Sequence, residues 1–408
     1  MRSPSTADGP FQAPWLIVAA GFHFRGGMEK ANAQLASYLL RSDAAVHLVA
    51  HDVDPMFLDH PRATVQLVRR PAGSFALGEF GLDRCGRNVA QSLIRTHPGA
   101  RVIVNGGNCQ WSDVNWVHYV HHAWTAVDSD APVWFKAKHR VFSARWRRLE
   151  TSAVRRARIV IANSNLTRGH LLTHVGVPPD RVRTVYLGTD SGSGVATTDE
   201  RAAARRWLGL DDDRPAVAFV GALGLDRRKG FDTLWRAWTM LCSAPEWDAD
   251  LVVAGSGADA ELIRRQAEHA GLGRRVRILG HSERIGDVLA AVDLLVSPVR
   301  YEPYGLNVQE AICRGVPAVV SRGAGVAERY PADLSDMLLN DPENVDELAG
   351  ILRRWHPRRD AWKARIRALG HEFRAYGWDE MSQAFIETVA GGPAGVRTRG
   401  PARVSGGS

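Results

Sequence analysis

The chain has 408 residues, 24% of them charged and 45% hydrophobic, with a net charge of +8. That length and balance exclude a disordered segment or a small disulfide-stapled domain, and leave room for two or three domains. The positive charge favours an anionic partner, such as a nucleotide, a phosphate, an acidic lipid or a nucleic acid, without choosing among them.

Residues before 13 read as disordered, as does the glycine-rich tail at 391–408. PWLIVAAGF (14–22) is short enough to pass for the apolar part of a signal peptide. The better reading is a buried first strand that ends in a glycine loop. WLIVAA (15–20), VHLVAH (46–51), VIVN (102–105), WVHYV (116–120), IVIAN (159–163) and VRTVYL (182–187) read as strands. MEKANAQLASYLL (28–40) reads as a helix with Met28, Ala31, Leu35 and Leu39 on one face. TDSGSGVATTDE (189–200) is small and polar and reads as a linker. The rhythm then restarts with AVAFVG (216–221), the helix FDTLWRAWTML (231–241), DLVVAG (250–255), VRILG (276–280), LLVSP (294–298) and PAVVS (317–321). Strands that are apolar at successive positions belong to parallel sheets covered on both faces. Two such series predict an α/β chain of two doubly wound domains, with ligand bound where strand ends face a shared cleft.

Four stretches carry chemistry. GFHFRGGMEKA (21–31) joins a strand to a helix through Gly21, Gly26 and Gly27. Glycines let a backbone approach a ligand, and a helix mouth offers amides to an anion. It is neither GxGxxG nor a P-loop, so a plain turn fits the glycines equally well. VGALGLDRRKGFDTL (220–234) crowds Arg227, Arg228 and Lys229 at a strand-to-helix turn. Elsewhere such a run is solvated surface; at a strand end it can neutralise a diphosphate. YEPYGLNVQEAICRGVP (301–317) places Glu302 and Glu310 around the mouth of a helix whose first amides belong to Gly305, Leu306 and Asn307. Carboxylates repel phosphate but accept strongly from hydroxyls. The pattern therefore suits a ligand with phosphate in its middle and hydroxyls at both ends. WVHYVHHAW (116–124) delivers His118, His121 and His122 to a strand end. With no acid nearby in sequence, sugar contacts fit them better than a metal does.

These stretches resemble the retaining GT-B glycosyltransferases of family 4. The resemblance rests on the E-x7-E pair of YEPYGLNVQEAICRGVP together with GGMEKANAQLA, IVIANSNLTRGHLL, VYLGTD, VGALGLDRRKG, LVVAGSGADAEL, VRILGHS and VDLLVSPVRYEP, which span about 14 to 390 in the family's order. It implies two Rossmann-like domains facing a cleft. An acceptor-side domain would run over 13–190, a linker over 191–213 and a nucleotide-sugar domain over 214–375. A C-terminal helix at 376–390 would cross back. By analogy Glu310 binds ribose hydroxyls and Glu302 the donor sugar. Lys229, with Arg228 or Arg227, holds the diphosphate, and the Gly26–Gly27 loop approaches the phosphate or the transferred sugar. His121 faces the sugar, with His118 as the substitute, and Arg277 and Ile278 hold the base. The chain departs from the family pattern at Ala222, where many members have arginine, and in reading LGTD where others read NGVD.

The resemblance further implies transfer of a sugar, with retention, from a nucleotide sugar to a hydroxyl acceptor. UDP is favoured as the donor nucleotide. No cofactor is expected, since the nucleotide sugar is a co-substrate, and no metal, since no DxD-type motif stands in place. The alternatives are an epimerase or phosphorylase on the same scaffold, a glycosidase using the two glutamates, and a non-enzymatic anion- or nucleic-acid-binding protein. No nucleic-acid motif appears, so no nucleic-acid partner is expected. KAKHRVFSARWRRLETSAVRRAR (136–158) holds nine Lys or Arg and one acid, interleaved with Phe142 and Trp146 and preceded by Trp134 and Phe135. It reads as a helix lying on anionic lipid, as a grip on an anionic acceptor, or as a solvated face. Cys85, Cys109, Cys242 and Cys313 form no CxxC pair, which fits a reduced cytoplasmic protein. No stretch nears the ~20 apolar residues of a membrane span.

Overall fold

Apolar runs in this chain become strands because each can be buried on both faces. The structure is a computed structural model describing residues 11–125, 133–192, 194–210 and 213–391. The ends read as disordered, 1–10 and 392–408, lie outside the described residues. Trp15–Val18, Val114–Val117 and Ile159–Ala162 are buried at every position, as parallel strands under two helical layers must be. Seven parallel strands form the first sheet, in the order Ala63–Leu67, Val46–Ala50, Trp15–Val18, Arg101–Val104, Val114–Val117, Ile159–Ala162 and Val182–Thr184. Six form the second, in the order Val276–Gly280, Asp250–Ala254, Ala216–Val220, Leu294–Ser297, Ala318–Ser321 and Leu338–Leu339.

In each sheet the chain order reverses beside the domain's first strand. The reversal lies between Trp15–Val18 and Arg101–Val104 in one sheet, and between Ala216–Val220 and Leu294–Ser297 in the other. A crevice opens outside the strand ends at such a point. Two reversals facing each other define the cleft.

Two elements depart from the sequence reading. Ala63–Leu67 is an edge strand with Thr64, Gln66 and Leu67 exposed, so it lacks the buried run that marks the others. The segment read as linker at 191–213 contains the helix Thr198–Leu208. Thr197 Oγ1 accepts from the Glu200 amide at 3.2 Å, and a Glu200 oxygen accepts from the Thr197 amide at 2.8 Å, a complete capping box. Ala204 and Leu208 then pack into the second domain's core.

The helix Trp378–Gly391 returns to the first domain. Trp378, Met381, Phe385, Ile386 and Val389 join the core built on Trp15, Leu35 and Trp116, and the Phe385 and Trp116 rings lie 4.7 Å apart. The outgoing and returning chains cross at Gly188. A Cβ there would sit 2.5 Å from the Gly377 carbonyl oxygen, so only glycine allows this approach.

Candidate functional site

A cleft of about 800 Å³ opens where the two sheet reversals meet, a size within the ~300–1,000 Å³ of small-molecule sites. The first domain contributes Phe24, Gly26 and Gly27 from the loop after its first strand, Lys30 from the following helix, and His118 and Tyr119 from a strand end. The second contributes Gly221, Ala222, Arg228 and Lys229 from one strand-to-helix turn, and Glu302 through Asn307 with Glu310 from the other.

The helix Leu306–Cys313 begins at Gly305, whose φ is +113°. A Cβ there would meet Val326 Cγ1 at 2.9 Å, so glycine is required for the turn. Its geometry leaves the amides of Leu306 and Asn307 without intrahelical partners at the cleft wall. The Asn307 side chain is committed to the fold, donating to the Val220 carbonyl at 3.0 Å. Opposite, Gly27 caps the helix Met28–Arg41, and a Cβ placed on it would lie 3.7 Å from Leu306 Cδ1. Two helix mouths, one per domain, therefore meet across the cleft, where an anion is favoured.

Each glutamate of the E-x7-E pair is met by a lysine. Lys229 Nζ donates to Glu302 Oε2, with both side chains mostly buried. Lys30 Nζ lies 3.4 Å from Glu310 Oε1 and 2.6 Å from Asp190 Oδ2. Burial pushes the Glu310 carboxyl above its usual range, and Lys30 opposes that shift. Arg228 places its guanidinium 5.5 Å from the Tyr119 ring centroid, a cation–π contact between domains.

Several sequence-predicted residues stand elsewhere. Arg227 adopts a positive φ of 50° and does not line the cleft; its carbonyl accepts from Arg300 Nη1 at 2.5 Å. His121 also leaves the lining. Its ring stacks on Trp146 at 5.5 Å, and its amide donates to Glu150 Oε1 at 2.9 Å. The strand ends at Val117, so His118 is the histidine at the strand end. His118 lines the cleft with Nε2 buried and without a hydrogen-bond partner. Burial pushes it down to about 3, so it is neutral. Glu150, buried on the basic helix, also pairs with His122 Nδ1 at 3.0 Å. An acid does therefore reach the histidines, contrary to the sequence reading, although among the described residues no group of three His, Cys, Asp or Glu is arranged to hold a metal.

Arg277 and Ile278 likewise miss the cleft. Arg277 Nη1 pairs with buried Asp250 at 3.1 Å, its Nη2 donates to the Gly209 carbonyl at 2.6 Å, and Ile278 packs on the second core. The cleft instead continues past the end of that strand to His281, Ser282, Glu283 and Ile285. Position just beyond a strand end was the available signal. Lys30, Asp190 and Tyr119 were also missed.

Polar and aromatic contacts join the two domains. Both carboxylate oxygens of Glu328 accept from the first domain, from the Asn165 amide at 2.7 Å and the Leu166 amide at 2.9 Å. Ser164 Oγ donates to the Pro303 carbonyl at 2.6 Å. Tyr301 inserts among Tyr119, Trp124 and His170, and its hydroxyl accepts from the Val120 amide at 3.1 Å.

Family models agree with this division. The model described as Glycosyltransferase Family 4 matches residues 25–192, and the one described as Glycosyl transferases group 1 matches 200–366. The chain belongs to the family 4 glycosyltransferases. Among its family-4 relatives, D-inositol 3-phosphate glycosyltransferase 1 of Catenulispora acidiphila is 30% identical over 266 residues, covering 61% of this chain and 61% of that protein. An uncharacterized glycosyltransferase of Methanocaldococcus jannaschii is 27% identical over 238 residues, covering 56% of this chain and 58% of that protein. The chain thus spans less than two thirds of the length of these curated relatives. The crystal structure of WaaG, a glycosyltransferase involved in lipopolysaccharide biosynthesis, superposes with a TM-score of 0.73 at 19% identity, over 93% of this chain and all of that one. Anabaena HepE in complex with UDP and glucose superposes with a TM-score of 0.66 at 19% identity, over 93% and 99%. The family-4 chain therefore has the GT-B architecture of two facing doubly wound domains.

The four cysteines are free thiols, with Cys109 and Cys313 buried. Among the described residues no helix is long and apolar enough to cross a membrane.

Proposed function

We propose that the chain is a glycosyltransferase that moves a sugar, with retention, from a nucleoside-diphosphate sugar to a hydroxyl acceptor. One observation carries this reading: Lys229, Arg228, the Leu306–Cys313 helix mouth, Glu302 and Glu310 line a single interdomain cleft. Lys229, Arg228 and the amides of Leu306 and Asn307 stabilise the charge that grows on the departing diphosphate, with the Gly26–Gly27 loop opposite. Glu310 accepts from ribose hydroxyls and Glu302 from the donor sugar. His118, neutral and unpartnered at Nε2, takes the sugar-facing role first given to His121. The base rests against the wall formed by His281, Ser282 and Ile285. No cofactor or metal is needed where two cations and a helix mouth take the leaving-group charge. UDP is the preferred nucleotide, a choice supported by family frequency and by the UDP held in the fold relative HepE.

An acceptor at a membrane fits the outer face of the first domain. Along the helix Val133–Arg156, Arg147 donates to the His121 and Trp124 carbonyls, and Arg155 to the Val175 carbonyl, so these cations serve the fold. Arg140 and Arg148 are exposed. Val133 and Val141, with Leu77 and Phe80 on the helix Phe75–Thr96, are 59% to 83% exposed. The two helices are joined by Trp146 donating to Glu79 at 3.2 Å. A basic face with protruding apolar groups suits an anionic bilayer surface.

The test is a thermal-shift screen with UDP-, GDP- and ADP-sugars, since a ligand of the native state raises its Tm, followed by NMR of the product's anomeric configuration. Stabilisation by one nucleotide series and a product with the donor's configuration are expected. An inverted product would remove the retaining assignment.

A further inference from the structure

Lys30 stands where a lysine is disfavoured. It occupies the first turn of the helix Met28–Arg41, the positive end of the helix dipole, and only 11% of its side chain is exposed. Four segments meet there. Lys30 comes from the first domain, Glu310 from the second, Asp190 from the connection between them, and Trp378 from the returning helix. Trp378 Nε1 donates to Asp190 Oδ1 at 2.7 Å, and the Lys30 ammonium lies 5.8 Å from the Trp378 ring centroid.

The charged groups facing Glu310 pull in different directions. Burial, then Asp190, raise its carboxyl; Lys30 from the other domain and Arg314 from its own helix lower it. Cys313, also on that helix, is a thiol raised by burial. Lys30 is itself held above its ordinary value: burial lowers it, but Glu310 and Asp190 together outweigh burial. A carboxylate accepts from two hydroxyls at once, whereas a protonated carboxyl gives up part of that capacity.

We propose that Lys30 is a positioning residue for donor binding, which keeps Glu310 ionised and aimed into the cleft from across the domain interface. The ribose-gripping acid is then ready only when the two domains are together. This rests on the reading of Glu310 as the ribose ligand.

The sign of the effect follows from the neighbours. Without Lys30, burial and Asp190 remain, so Glu310 takes up a proton at higher pH. Donor affinity is then lost as pH falls and recovers as pH rises. The test is isothermal titration of the full chain with UDP, GDP and ADP at about pH 6 and about pH 8.5, each variant expressed as a ratio to wild type at the same pH, which removes the nucleotide's own titration. Lys30→Met should bind the preferred nucleotide about tenfold more weakly at the lower pH and close to normally at the higher. Lys30→Arg should stay near wild type. Glu310→Gln should be weak at both pH values, and adding Lys30→Met to it should remove nothing more. An equal loss at both pH values in Lys30→Met, or no loss, overturns the role of Lys30 while leaving the ribose reading intact. Binding of none of the three nucleotides by wild type, or normal binding by Glu310→Gln, overturns the ribose reading and this inference with it. Should Lys30→Met fail to fold by circular dichroism, Lys30→Gln carries the same prediction.

Discussion

Lys229 Nζ donates to Glu302 Oε2, tying the cation of the basic turn to the first acid of the Tyr301–Pro317 segment. Both residues reach the cleft from strand-to-helix turns of the second domain, on the two sides of its sheet reversal. Under the proposed function a nucleotide sugar would offer each a new partner, phosphate for the lysine and hydroxyls for the glutamate. In the proposed reading the pair is a preformed site for phosphate and hydroxyl, held together by its own attraction until a donor divides it.

Removing the cation should slow chemistry more than it weakens the fold. Lys229→Ala is expected to lower kcat by about 10²–10³, as loss of one preorganised donor to a developing negative charge does. Steady-state kinetics with a saturating nucleotide sugar check this, alongside a melting curve. Turnover within a factor of about three of wild type would contradict the assigned role.

Arg277 and His281 separate fold from binding. Arg277 pairs with Asp250, which is fully buried, so Arg277→Ala leaves a carboxylate short of a partner. It should lower stability by roughly 1–3 kcal/mol with donor KM unchanged. His281→Ala lies on the cleft wall beyond the strand end and should raise donor KM with little change in Tm. Urea unfolding and donor titration of the two variants test the pair; the reverse pattern would restore the base to Arg277.

Acid should destabilise this protein through His118, which is buried, and His121, which is half-buried. Burial pushes His118 down to about 3; His121 is held at about 4 by burial first, then by His122 and Arg147. In the unfolded chain both titrate near ~6.5. Below that value the unfolded state binds protons that the folded state refuses. Their stabilising effect is complete above the unfolded value and is lost as pH falls, by up to ~1.4 kcal/mol per pH unit per group. Tm should therefore drop between about pH 7 and about pH 5, and His118→Gln should flatten that slope. Parallel curves for the two proteins would show that His118 is not held neutral.

Membrane contact predicts a salt-sensitive, lipid-dependent association. The chain should sediment with vesicles containing anionic phosphatidylserine and much less with neutral ones. Phe80→Asp combined with Arg140→Glu should abolish sedimentation without altering the melting curve, since both side chains point outward. Retained binding by that double variant would assign the face to solvent.

Elements whose signal is local were legible in the sequence; pairings across the chain were not. Ala216–Val220 and Leu294–Ser297 announce themselves because a strand buried on both faces must be continuously apolar. The mouth of Leu306–Cys313 was readable because an apolar strand, a Pro-Tyr-Gly turn and helically spaced Val308, Ala311 and Ile312 follow one another in the sequence. Ala63–Leu67 was missed because an edge strand needs no continuous apolar run. Thr198–Leu208 was missed although Thr197 and Glu200 spell out a capping box, since the glycines before it suggested a linker. Lys30 looked like one charge among many; its partner Glu310 lies 280 positions away. That His118 rather than His121 lines the cleft was hidden for the same reason. Glu150, which ties down the His121 amide, is 29 positions downstream, and only the folded chain shows which histidine lines the cleft.

In the proposed function one cleft holds the diphosphate between Lys229 and a helix mouth, with Glu310 on the ribose. A crystal structure of the chain with UDP tests it most directly. Phosphate oxygens should lie within hydrogen-bond distance of Lys229 Nζ and the Leu306 or Asn307 amide, with both ribose hydroxyls on Glu310. A nucleotide bound in reversed orientation, with its ribose at Lys229 and its phosphates away from the helix mouth, would contradict it.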